Sequence, residues 1–274
     1  MYLNVDNVLD GIKKKMAVIR EFSGDCVLNV EKTAKKIIFR GTDSSNNQQQ
    51  FEEKINYYFD LDRDYTNIKN TLSKVDNNLK LSIEYGNGIR ILNQDLWETI
   101  ISFIISANNN IPRIKGIIER ISKKYGDEII FDGKKYYTFP TPKQLSKASV
   151  EDLRNLGLGF RDVRVYDTTK MILKKEVDIE KLNKLNTPNA RDILLTLPGV
   201  GPKVADCILL FSSLKRFDVF PIDVWVRRVM NELYIHNENE EKVNKKEIQK
   251  LANEKFGNLQ GIAQQYLFYW KREA

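Results

Sequence analysis

Two side chains stand out as able to do chemistry together. Lys203 sits in Leu197–Cys207, LPGVGPKVADC, and Asp223 follows twenty residues later in Phe220-Pro-Ile-Asp223. A Gly-x-Gly turn between two helices exposes backbone N–H groups, which can hold a phosphate without reading sequence. A lysine at the mouth of such a turn is either a phosphate ligand or a nucleophile. Lys203 lies four residues before Cys207 and eight before Phe211, so the three share one helical stripe. Partial burial on that stripe disfavours an ammonium and favours a free amine able to attack carbon. Spacing alone leaves nucleophile and structural lysine equally open. Asp223 precedes Val226, Val229, Met230 and Leu233 at helical spacing, so it is expected to be an N-cap. Capping uses one carboxylate oxygen and leaves the other for a ligand.

These residues need a hairpin to position them. TPNARDILLTL should form its first helix, with Ile193, Leu194 and Leu197 facing a core, and Pro198-Gly199 should stop it. Gly201 is expected to supply the turn position where a side chain would be strained, and Pro202 fits the first position of the second helix. The hairpin spans about 187–215. Its second helix would point unpaired N–H groups, backed by its dipole, at an anion.

Around the hairpin, 274 residues with 42% hydrophobic and 30% charged side chains describe a soluble globular protein. The net charge of +7 favours an anionic partner, nucleic acid first. Cys26 and Cys207 are the only cysteines, too few for a disulfide framework, a cysteine zinc site or a four-cysteine iron–sulfur cluster. The one histidine, His236, lies in the polar run HNENEEKVNKKE. No signal peptide is evident, and Ile100–Ile105 is too short to span a membrane, so a cytoplasmic, nucleoid-associated protein is expected.

The expected fold is mainly α with a small N-terminal antiparallel β domain, an α+β arrangement. Residues 1–60 form the β domain, with strands at Cys26–Val30 and Lys36–Arg40 and a polar loop at 43–50. Residues 61–274 form an α-helical body in two subdomains, with one strand pair at 129–139. Periodicity predicts helices at 51–58, 65–77, 95–107, 111–125, 143–148, 160–175 and 187–196. Others are expected at 202–215, 223–234, 244–255 and 259–271. Pro112, Pro142, Pro188 and Pro202 mark helix starts.

The hairpin, its lysine and the Pro-x-Asp segment resemble the helix–hairpin–helix DNA glycosylases. Within them the chain is similar to 8-oxoguanine DNA glycosylases of the bacterial type close to the eukaryotic enzyme. Four ordered segments carry the likeness across about 85–271: Ser102–Asn110 (SFIISANNN), Leu156–Arg161 (LGLGFR), Val200–Cys207 (VGPKVADC) and Gly261–Phe268 (GIAQQYLF).

The resemblance implies a bifunctional enzyme that flips 8-oxoguanine out of duplex DNA, excises it through a lysine Schiff base and nicks the strand by β-elimination. Lys203 would attack the sugar C1′, and Asp223 would stabilise the developing oxocarbenium. Cys207 and Phe268 would sandwich the base, and Gln264 would hydrogen-bond its pairing edge. Asn108 and Phe160 would fill the gap in the duplex, with Arg113 and Arg161 on the orphaned base. Gly199 and Gly201 would meet the DNA backbone. Trp225 stands where the family often has a histidine near a phosphate. Backbone carbonyls of Leu195, Leu197 and Val200 could hold a monovalent cation, and no organic cofactor is implied. Damaged double-stranded DNA is the partner, and a monomer with no protein partner is expected.

The chain lacks the family's Gly-Gln-x-Phe-Arg-Trp segment, whose glycine carbonyl reads the N7 proton. Its nearest counterpart is Asp10-Gly11-Ile-Lys-Lys-Lys-Met16, so Gly11 is the candidate for that contact. The alternatives are a glycosylase of the same superfamily for another damaged base, or a non-catalytic DNA-binding hairpin protein. A monofunctional alkylpurine glycosylase would lack the lysine, and the iron–sulfur members need cysteines absent here.

Overall fold

The computed structural model describes residues 3–4, 15–21, 24–32, 37–42 and 48–274, with side chains from 49 onward. Three antiparallel strands come first: β2 (Lys15–Glu21), β3 (Gly24–Lys32) and β4 (Ile37–Thr42). Val18 pairs with Val27, and Val30 with Phe39. The expected strands are the cores of β3 and β4. β2 was hidden because three consecutive lysines, Lys13 to Lys15, lead into its apolar MAVI. A two-residue β1 (Leu3–Asn4) pairs with β5 (Ile89–Arg90), well past the expected boundary at 60.

The body is helical. After α1 (Gln48–Tyr58), the expected helix at 65–77 stops early as α2 (Tyr65–Leu72), and α3 (Asn77–Tyr85) follows where no helix was expected. The break is local chemistry. Ser73 Oγ turns back onto the Lys69 carbonyl at 2.6 Å, and Asp76 accepts from Leu79 N–H to start a new helix. α4 (Leu96–Ser106) is buried around most of its circumference, as its run of isoleucines requires. α5 (Ile111–Tyr125) begins at the Asn110 cap and buries Ile117 and Ile121. A hairpin of β6 (Glu128–Phe131) and β7 (Lys134–Tyr137) turns on Asp132-Gly133, both at positive φ.

Two short helices, α6 (Pro142–Leu145) and α7 (Val150–Asn155), each start in a reciprocal capping box. α8 (Asp162–Leu173) follows a 3₁₀ turn at Gly159–Arg161. The hairpin is α9 (Thr187–Leu195) and α10 (Pro202–Phe211). Then come α11 (Val224–Met230), α12 (Lys245–Phe256) and α13 (Gln260–Glu273). The four expected prolines all stand at helix starts. His236, at φ +59°, closes a π-turn after α11. No helix among the described residues is long and apolar enough to cross a membrane.

A buried ionic junction ties the stretch before α2 to the loop after α10. The Asp60 carboxylate accepts from Arg63 at 2.7 Å and Tyr65 at 3.1 Å, and Lys215 Nζ lies 3.5 Å away. Lys215 also donates to the Ile91 carbonyl. Burial pulls its ammonium down to about 8, with Asp60 opposing. Burial pushes the Tyr65 phenol the other way, above its ordinary value.

The lysine has a stability consequence. Between about 8 and the ordinary 10.5, the unfolded chain holds the Lys215 proton and the folded chain does not. Its contribution therefore rises with pH, by up to about 1.4 kcal/mol per pH unit. Above about 10 Tyr65 opposes it, because the unfolded phenol ionises first. In urea unfolding the stability of the wild type relative to Lys215→Met should thus grow from pH 8 to pH 10, while burial of the Cys207 thiol acts the opposite way in both proteins.

Candidate active site and nucleic-acid interface

The hairpin is seated on the body at its turn. Gly199 has φ +87°, and a Cβ there would lie 3.0 Å from Arg164 Cδ and 3.1 Å from Ile104 Cγ2. The strained position is thus Gly199, not Gly201 as expected. Gly201 has φ −92°, with open space where its Cβ would be. The difference arises because the turn reverses before Val200, whose N–H already bonds the Leu197 carbonyl at 3.0 Å. Thr168 Oγ1 donates to the Pro198 carbonyl at 3.1 Å. Arg191 of α9 bonds buried Asp206 of α10 at 2.6 Å, closing the hairpin. Burial raises the Asp206 carboxyl, and Arg191 counters it.

With Gly201 as N-cap and Pro202 behind it, no side chain caps α10. The Ala205 N–H bonds Gly201, so those of Lys203 and Val204 are the first-turn donors left to an anion. Lys203 is half-buried, its Nζ 5.7 Å from the Phe103 ring. Phe103 also stacks on Phe211 at 5.8 Å, so the expected stripe of 203, 207 and 211 faces α4. Burial pushes the Cys207 thiol up to about 11, against the pull of the neighbouring Lys203. That thiol is a packing group, not a nucleophile.

Asp223 caps α11 as expected, Oδ1 accepting from Val226 N–H at 2.9 Å. Its other oxygen has no hydrogen bond among the described residues, and the side chain is half-buried. Beside it Trp225 is 54% exposed, with the Arg228 guanidinium 5.4 Å from its ring.

Gln264 and Phe268 share a narrow recess with Phe220, Val226, Val229, Met230 and Leu267. Cys207 does not line it. Gln264 is 3% exposed and already occupied: Nε2 donates to the Pro221 carbonyl and Oε1 accepts from Gln265 at 2.9 Å. These bonds leave Gln264 one N–H and one lone pair.

The third group gathers at the ends of α4, α5 and α8. Asn108 is exposed at φ +48°, a left-handed position that asparagine tolerates. Phe160 is 55% exposed, between Arg161 at 4.1 Å and Arg164 at 5.2 Å from its ring. Arg113 is exposed and donates to the Gly157 carbonyl at 3.1 Å. Arg161 departs from expectation. It is 1% exposed, bonded to the carbonyls of Ala107, Asn108 and Leu158, and so holds the 107–108 turn rather than facing outward. Burial, with Arg113 and Arg164 nearby, lowers its pKa. Two of its three carbonyl partners, Ala107 and Asn108, come from one remote segment, which spacing cannot reveal.

Gly11 lies outside the described residues. The carbonyls of Leu195, Leu197 and Val200 belong to the hairpin turn. That of Leu197 takes one N–H bond and keeps a lone pair, so this all-oxygen set fits a hard cation. Sequence reasoning missed Phe103, Arg164 and Gln265. Phe103 and Gln265 lie inside segments already singled out, and Arg164 follows Arg161 by one helical turn.

The hairpin thus presents a helix start with free N–H donors beside a half-buried lysine, and Asp223 at the start of α11 keeps one carboxylate oxygen without a hydrogen bond among the described residues. Residues 101–265 match the family model of HhH-GPD superfamily base excision DNA repair proteins, and residues 11–100 match that of the 8-oxoguanine DNA glycosylase N-terminal domain. The chain belongs to the HhH-GPD superfamily. Its N-terminal portion matches despite lacking Gly-Gln-x-Phe-Arg-Trp.

A probable N-glycosylase/DNA lyase of Methanothermobacter thermautotrophicus is 35% identical over 83% of this chain and 77% of that protein. The N-glycosylase/DNA lyase of Saccharomyces cerevisiae is 38% identical over 54% of this chain and 42% of its own length. The 8-oxoguanine glycosylase/lyase of Clostridium acetobutylicum, solved with duplex DNA carrying cytosine opposite 8-oxoguanine, is 41% identical with a TM-score of 0.82. That match covers 93% of this chain and 87% of the other.

The two glycines separate packing from DNA contact. Gly199→Ala meets both strain and Arg164, and should cost about 1–3 kcal/mol in chemical denaturation. Gly201→Ala should cost less than about 1 kcal/mol while weakening duplex binding, because its methyl enters the space before the α10 donors.

Proposed function

We propose that this chain is a bifunctional DNA glycosylase and abasic-site lyase that removes 8-oxoguanine from duplex DNA, acting as a monomer. One observation carries the reading. Lys203 stands at an uncapped helix start in a chain whose relatives are named for both activities.

The chemistry follows from the residues. The uncapped start of α10 takes a backbone phosphate beside the flipped nucleotide, with Gly201 allowing close approach and Gly199 fixing the turn. The Lys203 amine nitrogen attacks C1′ as the glycosidic bond breaks and the base leaves with the bond's electron pair. The free oxygen of Asp223 stabilises the positive charge that develops on the sugar. The attacking nitrogen gives a proton to the departing base. Its lone pair then expels O4′ from C1′ and opens the sugar as a protonated Schiff base, with O4′ taking a proton from water. Loss of a proton from C2′ expels the 3′ phosphate, which is the β-elimination.

Phe268 and Cys207 would bracket the base, and Gln264 would use its remaining N–H and lone pair on the base edge. Phe160 and Asn108 would occupy the gap left in the stack, where an aromatic contact is worth about 1–3 kcal/mol. Arg113 is already exposed for the orphaned base. Arg161 would have to leave its carbonyls to join it. Trp225 would lie along the strand, and Gly11 would meet N7. Carbonyls of Leu195, Leu197 and Val200 would hold a monovalent cation, which supplies positive charge near the bound phosphate.

Borohydride trapping on duplexes with 8-oxoguanine opposite each of the four bases tests this reading. Wild-type protein should give a covalent adduct and Lys203→Gln none. Asp223→Asn should slow excision by about a hundredfold or more. An undiminished adduct in Lys203→Gln sinks the mechanism. Equal excision opposite all four bases overturns the roles of Arg113 and Arg161.

A further inference from the structure

Gln265 neighbours Gln264 on α13 and carries an anomaly. It is 1% exposed, its Nε2 donates to Gln264 Oε1 at 2.9 Å, and its own Oε1 has no partner among the described residues. A buried carbonyl without a donor is destabilising. An apolar side chain would avoid that, so the glutamine needs a reason.

The hydrogen bonds supply one. The Pro221 carbonyl can only accept, so the Gln264 carboxamide must turn Nε2 toward it. Oε1 then points at Gln265, which must answer with its own donor end. Flipping Gln264 would set oxygen against oxygen at Pro221 and amide against amide at Gln265. The chain Pro221–Gln264–Gln265 therefore has one allowed order, and the orphaned oxygen at its end is the result of that order.

We propose that Gln265 is a positioning residue that holds the Oε1 end of the Gln264 carboxamide while Pro221 holds its Nε2 end, so that the plane of the carboxamide is fixed before a base arrives. This deepens the 8-oxoguanine reading and rests on it for the ligand. Such a donor–acceptor pair suits a purine with a lactam edge, where an N–H stands beside a carbonyl. Pro221 sets which end of Gln264 donates, and Gln265 holds the Oε1 end, so without Gln265 the carboxamide could pivot about its Pro221 bond and discrimination between base edges would fall.

Gln265→Leu removes both the donor and the orphaned oxygen. Affinity for a duplex containing 8-oxoguanine should fall by about tenfold, while affinity for the same duplex with a tetrahydrofuran abasic analogue stays within about twofold. Thermal stability should not drop. Equal loss on both duplexes, or on neither, overturns the proposal. Gln265→Met makes the same comparison if leucine is not accommodated.

A second readout needs no DNA. Hydrogen exchange of the Gln264 side-chain amide in the free protein should quicken by about tenfold in the variant. Unchanged exchange overturns the lock whatever the base. If the wild type binds the 8-oxoguanine duplex no better than an undamaged one, the functional reading fails, and the exchange rate alone decides the lock.

Discussion

The contact between Gly199 and the pair Ile104 and Arg164 sets where everything else can be. It lets the hairpin turn press against α4 and α8 without an intervening side chain, and Thr168 fixes the neighbouring Pro198 carbonyl. From that seat α10 runs into the core, burying every residue from Ala205 to Phe211. Its first turn must then stay at the surface. Lys203 is half-buried because it sits where that helix crosses from solvent to core, against Phe103 of the same α4. Unpaired N–H donors at the helix start and an amine one residue in follow from one close approach. A Cβ at 199 would lift both together.

What could be read from the sequence is what is encoded locally. Asp223, Asp76 and Asn110 cap helices because each precedes an apolar period by the right interval, though only Asp223 was named as a cap in advance. The prolines at helix starts belong to the same class. The split between α2 and α3 escaped because the apolar spacing runs on past Ser73, whose hydroxyl bends back onto the chain. The choice between Gly199 and Gly201 was not legible, since either glycine suits a turn. What separates them is Ile104 and Arg164, remote in sequence. Arg161 is a sharper case. An arginine after an aromatic near glycines looks exposed, and only the fold brings the 107–108 carbonyls within its reach.

Polar groups expected on DNA are here held by the protein itself. Arg161 is spent on backbone carbonyls, and Gln264 on Pro221 and Gln265. A buried guanidinium or carboxamide without partners would be far more costly than either arrangement. Self-bonding is how a site carrying such groups stays folded before its ligand arrives. The two groups differ in consequence. Gln264 keeps a spare N–H and lone pair, so a base can be added to its network without breaking it. The carbonyls that Arg161 holds would lose their donor if it swung out to reach a base.

That asymmetry bears on selectivity. A contact added to an intact network returns its full hydrogen-bond energy, whereas an exchanged contact returns only the difference between new and old partners. On the proposed reading, a damaged base met by Gln264 would be the first kind, and its former partner met by Arg161 the second. Arg113 gives up one carbonyl bond from an exposed position, where water can replace it. On the proposed reading the exposed Arg113 would therefore do more for selectivity than the buried Arg161, because its old partner is the cheaper one to leave.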